Sequence, residues 1–366
     1  MHRKLLQRCP DAFNLSIGYK QPPTRHKRLF RDDKHNNMKK IFLFTGLLVS
    51  MKLFAQDSTM NNLTKEMDAN AAEQKLPVKI FNSTRTINAN TIQVTGKGKM
   101  DFKVTHNFGD IGGNDGGIKN FFGLDNTFDV RIGFDIGIAD RLSLGISRGK
   151  GDELHLRGDS AIGKRDNLLS KLFEISLKYQ LLRQFENDPS HPVSITVFVN
   201  SVVSTRSKAG VPNMPNSFDG LGDRMSRVVQ LIIAKKIGKV SLQLNPTLVN
   251  YGYTPAYDEN NTFALGGAMR VPFSKTFALI VDYFHSFHSD IKKQNYKTLQ
   301  GVKFYDPLGV GLEITTSGHI FHLNFTNSTG ILENQFIPYT TSKWSKGQFR
   351  WGFNISRSFV LWREKK

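Results

Sequence analysis

The chain has almost no cysteine and no long hydrophobic run, and both absences narrow what it can be. Cys9 is the only cysteine in 366 residues, so no internal disulfide staples the fold. Beyond residue 55 no stretch of about 18 apolar residues occurs, and 22% of the residues are charged, which excludes a helical membrane protein. Any passage through a bilayer must therefore use strands. No nucleic-acid partner is implied either, despite a net charge of +19. Residues 1–55 hold 12 Lys/Arg against 3 Asp/Glu, and the remainder holds 38 against 28, so about half the excess sits in a leader-like segment.

What is present begins with that leader. Met38 to Ala55 opens with Lys39 and Lys40, continues with an apolar run from Ile41 to Met51 that Lys52 interrupts, and ends in Leu53-Phe54-Ala55 before Gln56. These are the parts of a secretory signal peptide, too short to span a bilayer as a helix. A signal works at a free N-terminus, so residues 1–37 are expected to be a spurious or disordered extension, the alternative being a basic cytosolic tail. No cysteine follows the apolar run, which removes lipoprotein anchoring. Residues 56–98 are expected as a periplasmic lead-in, polar at first and then contributing short strands, followed by the main domain, 99–366.

From Met100 onward apolar residues recur at every second position. In "TFDVRIGFDIGIADRLSLGISRG" the residues Phe128, Val130, Ile132, Phe134, Ile136 and Ile138 alternate with charged or small ones, and after Ala139-Asp140-Arg141 the pattern resumes at Leu142, Leu144 and Ile146. Twelve such segments are expected, near 100–108, 127–138, 141–148, 171–183, 193–205, 224–236, 239–250, 261–273, 275–287, 307–315, 318–327 and 347–361. Two of them, "LLSKLFEISLKYQLLRQF" and "RMSRVVQLIIAKKIG", also fit amphipathic helices, and ten strands remain if they are helical. The connections alternate, long after odd strands and short after even ones, as the outer loops and periplasmic turns of an outer-membrane barrel do. The last segment, with Phe349, Trp351, Phe353, Ile355, Phe359 and Leu361 on one face, has the character that barrel-assembly machinery recognises. The expected fold is all-β, an antiparallel up-and-down transmembrane barrel; a secreted β-sandwich is the alternative.

If the apolar face meets outer-membrane lipid, the alternate residues face the lumen. These are Asp101, Lys103, Asp129, Arg131, Asp135, Glu174, Lys178, Arg270, Asp282, Glu313 and Arg350, six acids against five bases, with His322 beside Asn324 and Thr326. Near-balanced charge in a narrow space pairs across it, because unpaired charge away from bulk water is costly. Twelve strands lie between the filled barrels of about 8 and the open channels of about 16–18, so both a small-solute channel and a plugged barrel fit.

No cofactor, metal site or catalytic residue is expected. The glycine-rich "GDIGGNDGG" lacks the helix that a phosphate loop requires, leaving calcium at Asp110, Asn114 and Asp115 as a remote option. The pairs His285/His288 and His319/His322 have three-residue spacing, which on a strand sends the two rings to opposite faces. No serine carries the local signature of an activated nucleophile.

The phrases "FNSTRTIN", "FFGLDNTFDVRIGFDIGIADRLSLGISR", "LKYQLLRQ", "VQLIIAKKI", "SGHIFHLNFTNSTG" and "WGFNISRSF" together resemble the β-barrel family of Bacteroidetes-type bacteria known as domain of unknown function 5777, from about Val78 to Val360. The resemblance implies an outer-membrane barrel of unassigned activity and carries over no ligand or catalytic residues. Passive passage of small solutes is the leading expectation. A structural barrel that docks a periplasmic or surface partner, and an outer-membrane hydrolase, are the alternatives.

Overall fold

The computed structural model describes residues 76–113, 116–125, 127–151 and 171–363. The leader, Cys9, Asn114, Asp115, the Phe128 side chain and the first part of the lead-in lie outside the described residues. Twelve antiparallel strands close into one barrel: β1 Lys99–Asp110, β2 Thr127–Ala139, β3 Leu142–Gly151, β4 Leu172–Leu182, β5 Ser194–Ser204, β6 Met225–Ile237, β7 Val240–Tyr251, β8 Asn261–Pro272, β9 Phe277–Phe287, β10 Leu308–Thr315, β11 His319–Thr326 and β12 Arg350–Val360. Each strand pairs with its sequence neighbours, and closure is direct, since β1 pairs with β12 from Lys99 opposite Val360 to Asp110 opposite Arg350. A sandwich, which leaves first and last strands unpaired to each other, is thereby excluded.

The greasy face points outward. Ile132, Phe134, Ile146, Phe173, Ile175, Leu177, Tyr179, Leu244 and Leu265 are all exposed on the outer wall. So large an apolar surface on a closed barrel is what lipid covers. Aromatic residues mark both rims. Phe273, Phe277, Phe359 and Trp362 lie at the end of the short turns, and Phe108, Trp351, Phe263 and Phe287 at the end of the long loops. The two segments with helical ambiguity are strands β4 and β6, so the count stands at twelve.

The connections after odd strands are longer than those after even ones, except that β4–β5 (183–193) exceeds β7–β8 (252–260). Two hold helices that the sequence reading left as loop: α1, Asp290–Gln300, between β9 and β10, and α2, Glu333–Tyr339, between β11 and β12. α1 starts where the Ser289 hydroxyl accepts the Lys292 N–H and stops at Gly301, whose φ of 66° suits the left-handed cap.

Candidate functional site

Cross-strand registers place all twelve lumen candidates on the inner face: Asp101 lies opposite Asp135, Lys178 opposite Ser143, Glu313 opposite His322, and Thr326 opposite Arg350. Several pair as charges in a confined space should. Arg131 donates to Glu174 at 2.7 Å, Arg270 to Glu313 at 2.8 Å and Arg350 to Asp110 at 2.6 Å, while Lys103 bonds Asp135. Glu174 also accepts from Ser147 and Asn200. His322 sits between Glu313 and Asn354, at 3.4 and 3.5 Å. Asp101 accepts from Thr95 and Ser358 near the turn end.

The remaining candidates, Lys178, Asp282 and Asp129, have partners that are not on the wall, because the lumen is occupied. Residues 78–95, expected on the periplasmic side, instead run up inside the barrel as a hairpin. Thr86 N–H donates to Ala89 O and Thr91 N–H to Thr84 O, and Arg85 bridges Asn90. Both arms meet the wall at the turn end: Val78 N–H donates to Gln184 O beside the β4–β5 turn, and Gly98 N–H to Gly137 O beside the β2–β3 turn. The wall holds the hairpin by its backbone. Lys178 donates to Thr84 O and Thr91 O, Asn354 to Thr86 O and Gln243 to Asn90 O; Thr196 donates to Ile92 O. A segment without a sheet of its own must find such partners when it leaves water.

Asp282 is the tightest of these anchors. Its Oδ2 accepts the backbone N–H groups of Ile87, Asn88 and Ala89 at 3.0, 2.7 and 3.2 Å and the Thr86 hydroxyl at 2.7 Å, while Oδ1 accepts Asn88 Nδ2 at 2.9 Å. Five donors converge on one buried carboxylate, an arrangement that stabilises its charge. Strand β10 makes room for the hairpin tip with glycine. A Cβ on Gly309 would lie 2.7 Å from Asp282 Oδ1 and 2.8 Å from Ile87, and one on Gly311 would lie 3.3 Å from Ile87.

From the other end, the β11–β12 loop folds inward over the hairpin. Ile331 N–H donates to Asp129 at 3.2 Å, and Phe336 packs edge-on against Phe284 of β9 at 5.2 Å. Hairpin and loop touch directly: Arg85 donates to Ile331 O and pairs with Glu333, and Asn90 donates to Glu333 at 2.7 Å. On the β5–β9 side apolar contacts join the hydrogen bonds. Ile80, Phe81, Ala89 and Ile92 of the hairpin pack with Phe198, Val228, Ile232 and Phe284 of the wall and with Phe336 and Ile337 of α2. The expectation from the lumen charges is therefore corrected: part of the interior is a hydrophobic core, each large buried side chain contributing roughly 1.5–3 kcal/mol. On the opposite side the space between hairpin and wall narrows to a cavity of about 10 Å3, room for about one water, lined by Arg85, Lys103, Arg131, Asp135 and Lys178.

Three long loops are tied together above the lumen by Asp258, between β7 and β8. Its carboxylate accepts the hydroxyls of Tyr296 and Tyr339 at 2.7 and 2.9 Å and pairs with buried Lys292 at 2.9 Å. Burial, with the Asp258 charge, pushes both tyrosine hydroxyls well above their ordinary range, so they stay protonated donors. Nearby, burial and the Lys292 charge hold the His288 imidazole down to about 3, hence neutral.

The hairpin and its anchors Gln243, Asn245, Thr196 and Asn354 were missed in the sequence. A signal existed: β6, "VVQLIIA", is apolar on both faces, which a strand between lipid and water cannot be. The apolar inner face of β6 needs a protein neighbour inside. Of the remote options, Asp110 of the calcium set is paired with Arg350, and His288 points inward while His285 points outward. No group of three metal-ligating side chains occurs among the described residues.

Solved porin and channel structures resemble the chain weakly. The NanC porin has a TM-score of 0.39 at 9% identity over 71% of this chain and 98% of that one. The KdgM porin has 0.40 at 10% over 71% and 99%, and an outer membrane channel from Pseudomonas putida F1 has 0.43 at 10% over 73% and 97%. These are likenesses of barrel to barrel and extend no further. No curated protein matches the sequence. The membrane bound beta barrel domain, domain of unknown function 5777, matches residues 81–359 and so takes in the lumen hairpin as well as all twelve strands; the chain belongs to that family.

Proposed function

We propose that this is an outer-membrane barrel, with its turns in the periplasm and its long loops outside, that passes small solutes passively only when the hairpin 78–95 leaves the lumen. The observation that carries this reading is the closure itself. The hairpin fills the barrel, yet much of its hold is hydrogen bonding with charged and polar wall residues spread around the circumference, Lys103, Lys178, Gln243, Asp282 and Asn354, whose partners water can replace. Both arms leave at the turn end, so withdrawal towards the periplasm needs no threading. Delivery through the signal peptide Met38–Ala55, and insertion by the barrel-assembly machinery, belong to the same reading.

Planar-bilayer recording tests it. The full mature chain is expected to be closed with rare openings, and a variant with 79–94 replaced by a short Gly/Ser tether to show stable current steps. Silence from both, with folded barrels confirmed by heat-dependent gel mobility, sinks the conduit reading. It would favour the second reading, a docking barrel for a periplasmic partner, which draws support from the position of Leu76 at the turn end, where Glu186 N–H donates to Leu76 O. The hydrolase alternative gains no observation, since His322 has Glu313 and Asn354 as its polar partners among the described residues.

A further inference from the structure

A groove of about 700 Å3 opens at the loop-end rim of β9, between the strand and α1, lined by outward His285 and Phe287 and by inward Ser286 and His288. Its walls carry Lys293, Lys297 and Lys303, the rings of Phe287, Phe304 and Tyr305, and His285. The His285 ring is fixed by Asp306, whose Oδ2 lies 2.9 Å from Nδ1 and also accepts the Tyr283 hydroxyl, while Oδ1 accepts the Ser286 N–H. Asp306 is thus spent on its own neighbours, and Asp290 is paired with Lys293 at 3.3 Å. Lys297 and Lys303 face the groove with no carboxylate partner among the described residues.

Position says what such a site meets. Eleven residues of β9, at about 3.3 Å each and tilted about 40°, rise roughly 28 Å, close to the roughly 25 Å apolar band of such barrels. His285 and Phe287 therefore stand at the hydrocarbon edge, where headgroups lie. Below the groove the same outer face continues as Tyr283, Val281 and Leu279, paired with Leu308, Val310 and Leu312 of β10, an apolar track along which acyl chains lie. Two unpaired ammonium groups above an apolar track match an anionic headgroup on a lipid.

We infer that this groove binds the phosphate of an outer-leaflet lipid headgroup, with Lys297 and Lys303 as its cationic contacts. The inference rests on the long loops facing outward and is independent of whether the hairpin moves. Native mass spectrometry of the folded full mature chain, extracted from vesicles of phosphatidylcholine with one-tenth phosphatidic acid, tests it. One phosphatidic acid per barrel is expected, retained at least tenfold over its share of the mixture. The double variant Lys297→Gln/Lys303→Gln is expected to lose that enrichment, while Lys239→Gln, at the β6–β7 turn, keeps it. Equal enrichment in wild type and double variant, or none in either, overturns the site. Displacement of the lipid by millimolar inorganic phosphate overturns the assignment to a lipid and points to a free anion. None of these outcomes depends on conductance, so failure here is separate from failure of the conduit reading.

Discussion

Arg85, carried into the lumen on the hairpin, lies 3.4 Å from Glu333, carried in on the loop from the opposite end, and both are buried. Arg85 also donates to Asn88 O at 2.5 Å and to Ile331 O, so one guanidinium ties the hairpin turn to the loop backbone. Whatever displaces one segment strips a buried partner from the other.

Breaking this pair one side at a time is expected to be costly. Arg85→Met or Glu333→Gln leaves a buried charge uncompensated and should destabilise the closed state by about 3–5 kcal/mol. The double variant should cost less than the sum of the two. Opening frequency in bilayers, measured for all four proteins, checks the coupling; strictly additive effects would mean that hairpin and loop open independently.

Asp282→Asn removes charge and acceptor capacity beneath the hairpin tip. With three backbone N–H groups competing for one amide oxygen, at least one donor loses its partner, at a cost of about 1–3 kcal/mol per group. Hydrogen exchange at Ile87, Asn88 and Ala89 should accelerate by tenfold or more while the strand amides of β1–β12 stay protected. Unchanged exchange at the tip would show that Asp282 is not its anchor.

The close approach of β10 offers a steric test. Gly309→Val places methyl groups where Asp282, Ile87 and Asn88 already stand, on a strand whose outer face is untouched. In a Cys9→Ser background, a cysteine at Ser83 should then react with a periplasmic-side thiol reagent several-fold faster than without the valine. Equal rates would place the hairpin elsewhere than against β10.

His288 makes the loop cap acid-sensitive. Its folded pKa of about 3 lies below the ordinary value near 6.5, so the unfolded cap binds a proton that the folded cap refuses. Stability is therefore full above about pH 6.5 and is lost progressively as pH falls towards 3. Lys292 and Lys293 reinforce the depression, and Asp258 and Asp306 oppose it. Proteolysis of the β9–β10 loop at pH 5 against pH 7.5 should show faster cutting in acid, and His288→Phe should flatten the difference above pH 5.

The barrel was legible because its period-two signal depends on local sequence alone: an outward Ile132 or Leu177 must alternate with an inward Arg131 or Lys178. The lumen side chains were legible for the same reason. Their partners were not. Nothing local to Asp282 announces that its bonds go to residues 86–89, almost two hundred positions away, and "STRTINAN" has the composition of a loop whether it lies in water or in a barrel. The signal lay in pairs of features read separately: β6 is apolar on both faces, and β10 presents glycine at both Gly309 and Gly311 where a filled wall needs side chains.

The occupied lumen is most directly tested by locking the hairpin where it lies. Asn88 Nδ2 is 3.1 Å from the Thr326 hydroxyl of β11, so cysteines at these two positions, in a Cys9→Ser background, are placed to join. The oxidised protein should form the crosslink in cells and stay silent in a bilayer, and reduction during the recording should restore openings. Failure of the two thiols to join in a folded barrel, or a large steady current through the crosslinked protein, would contradict a lumen closed by its own chain.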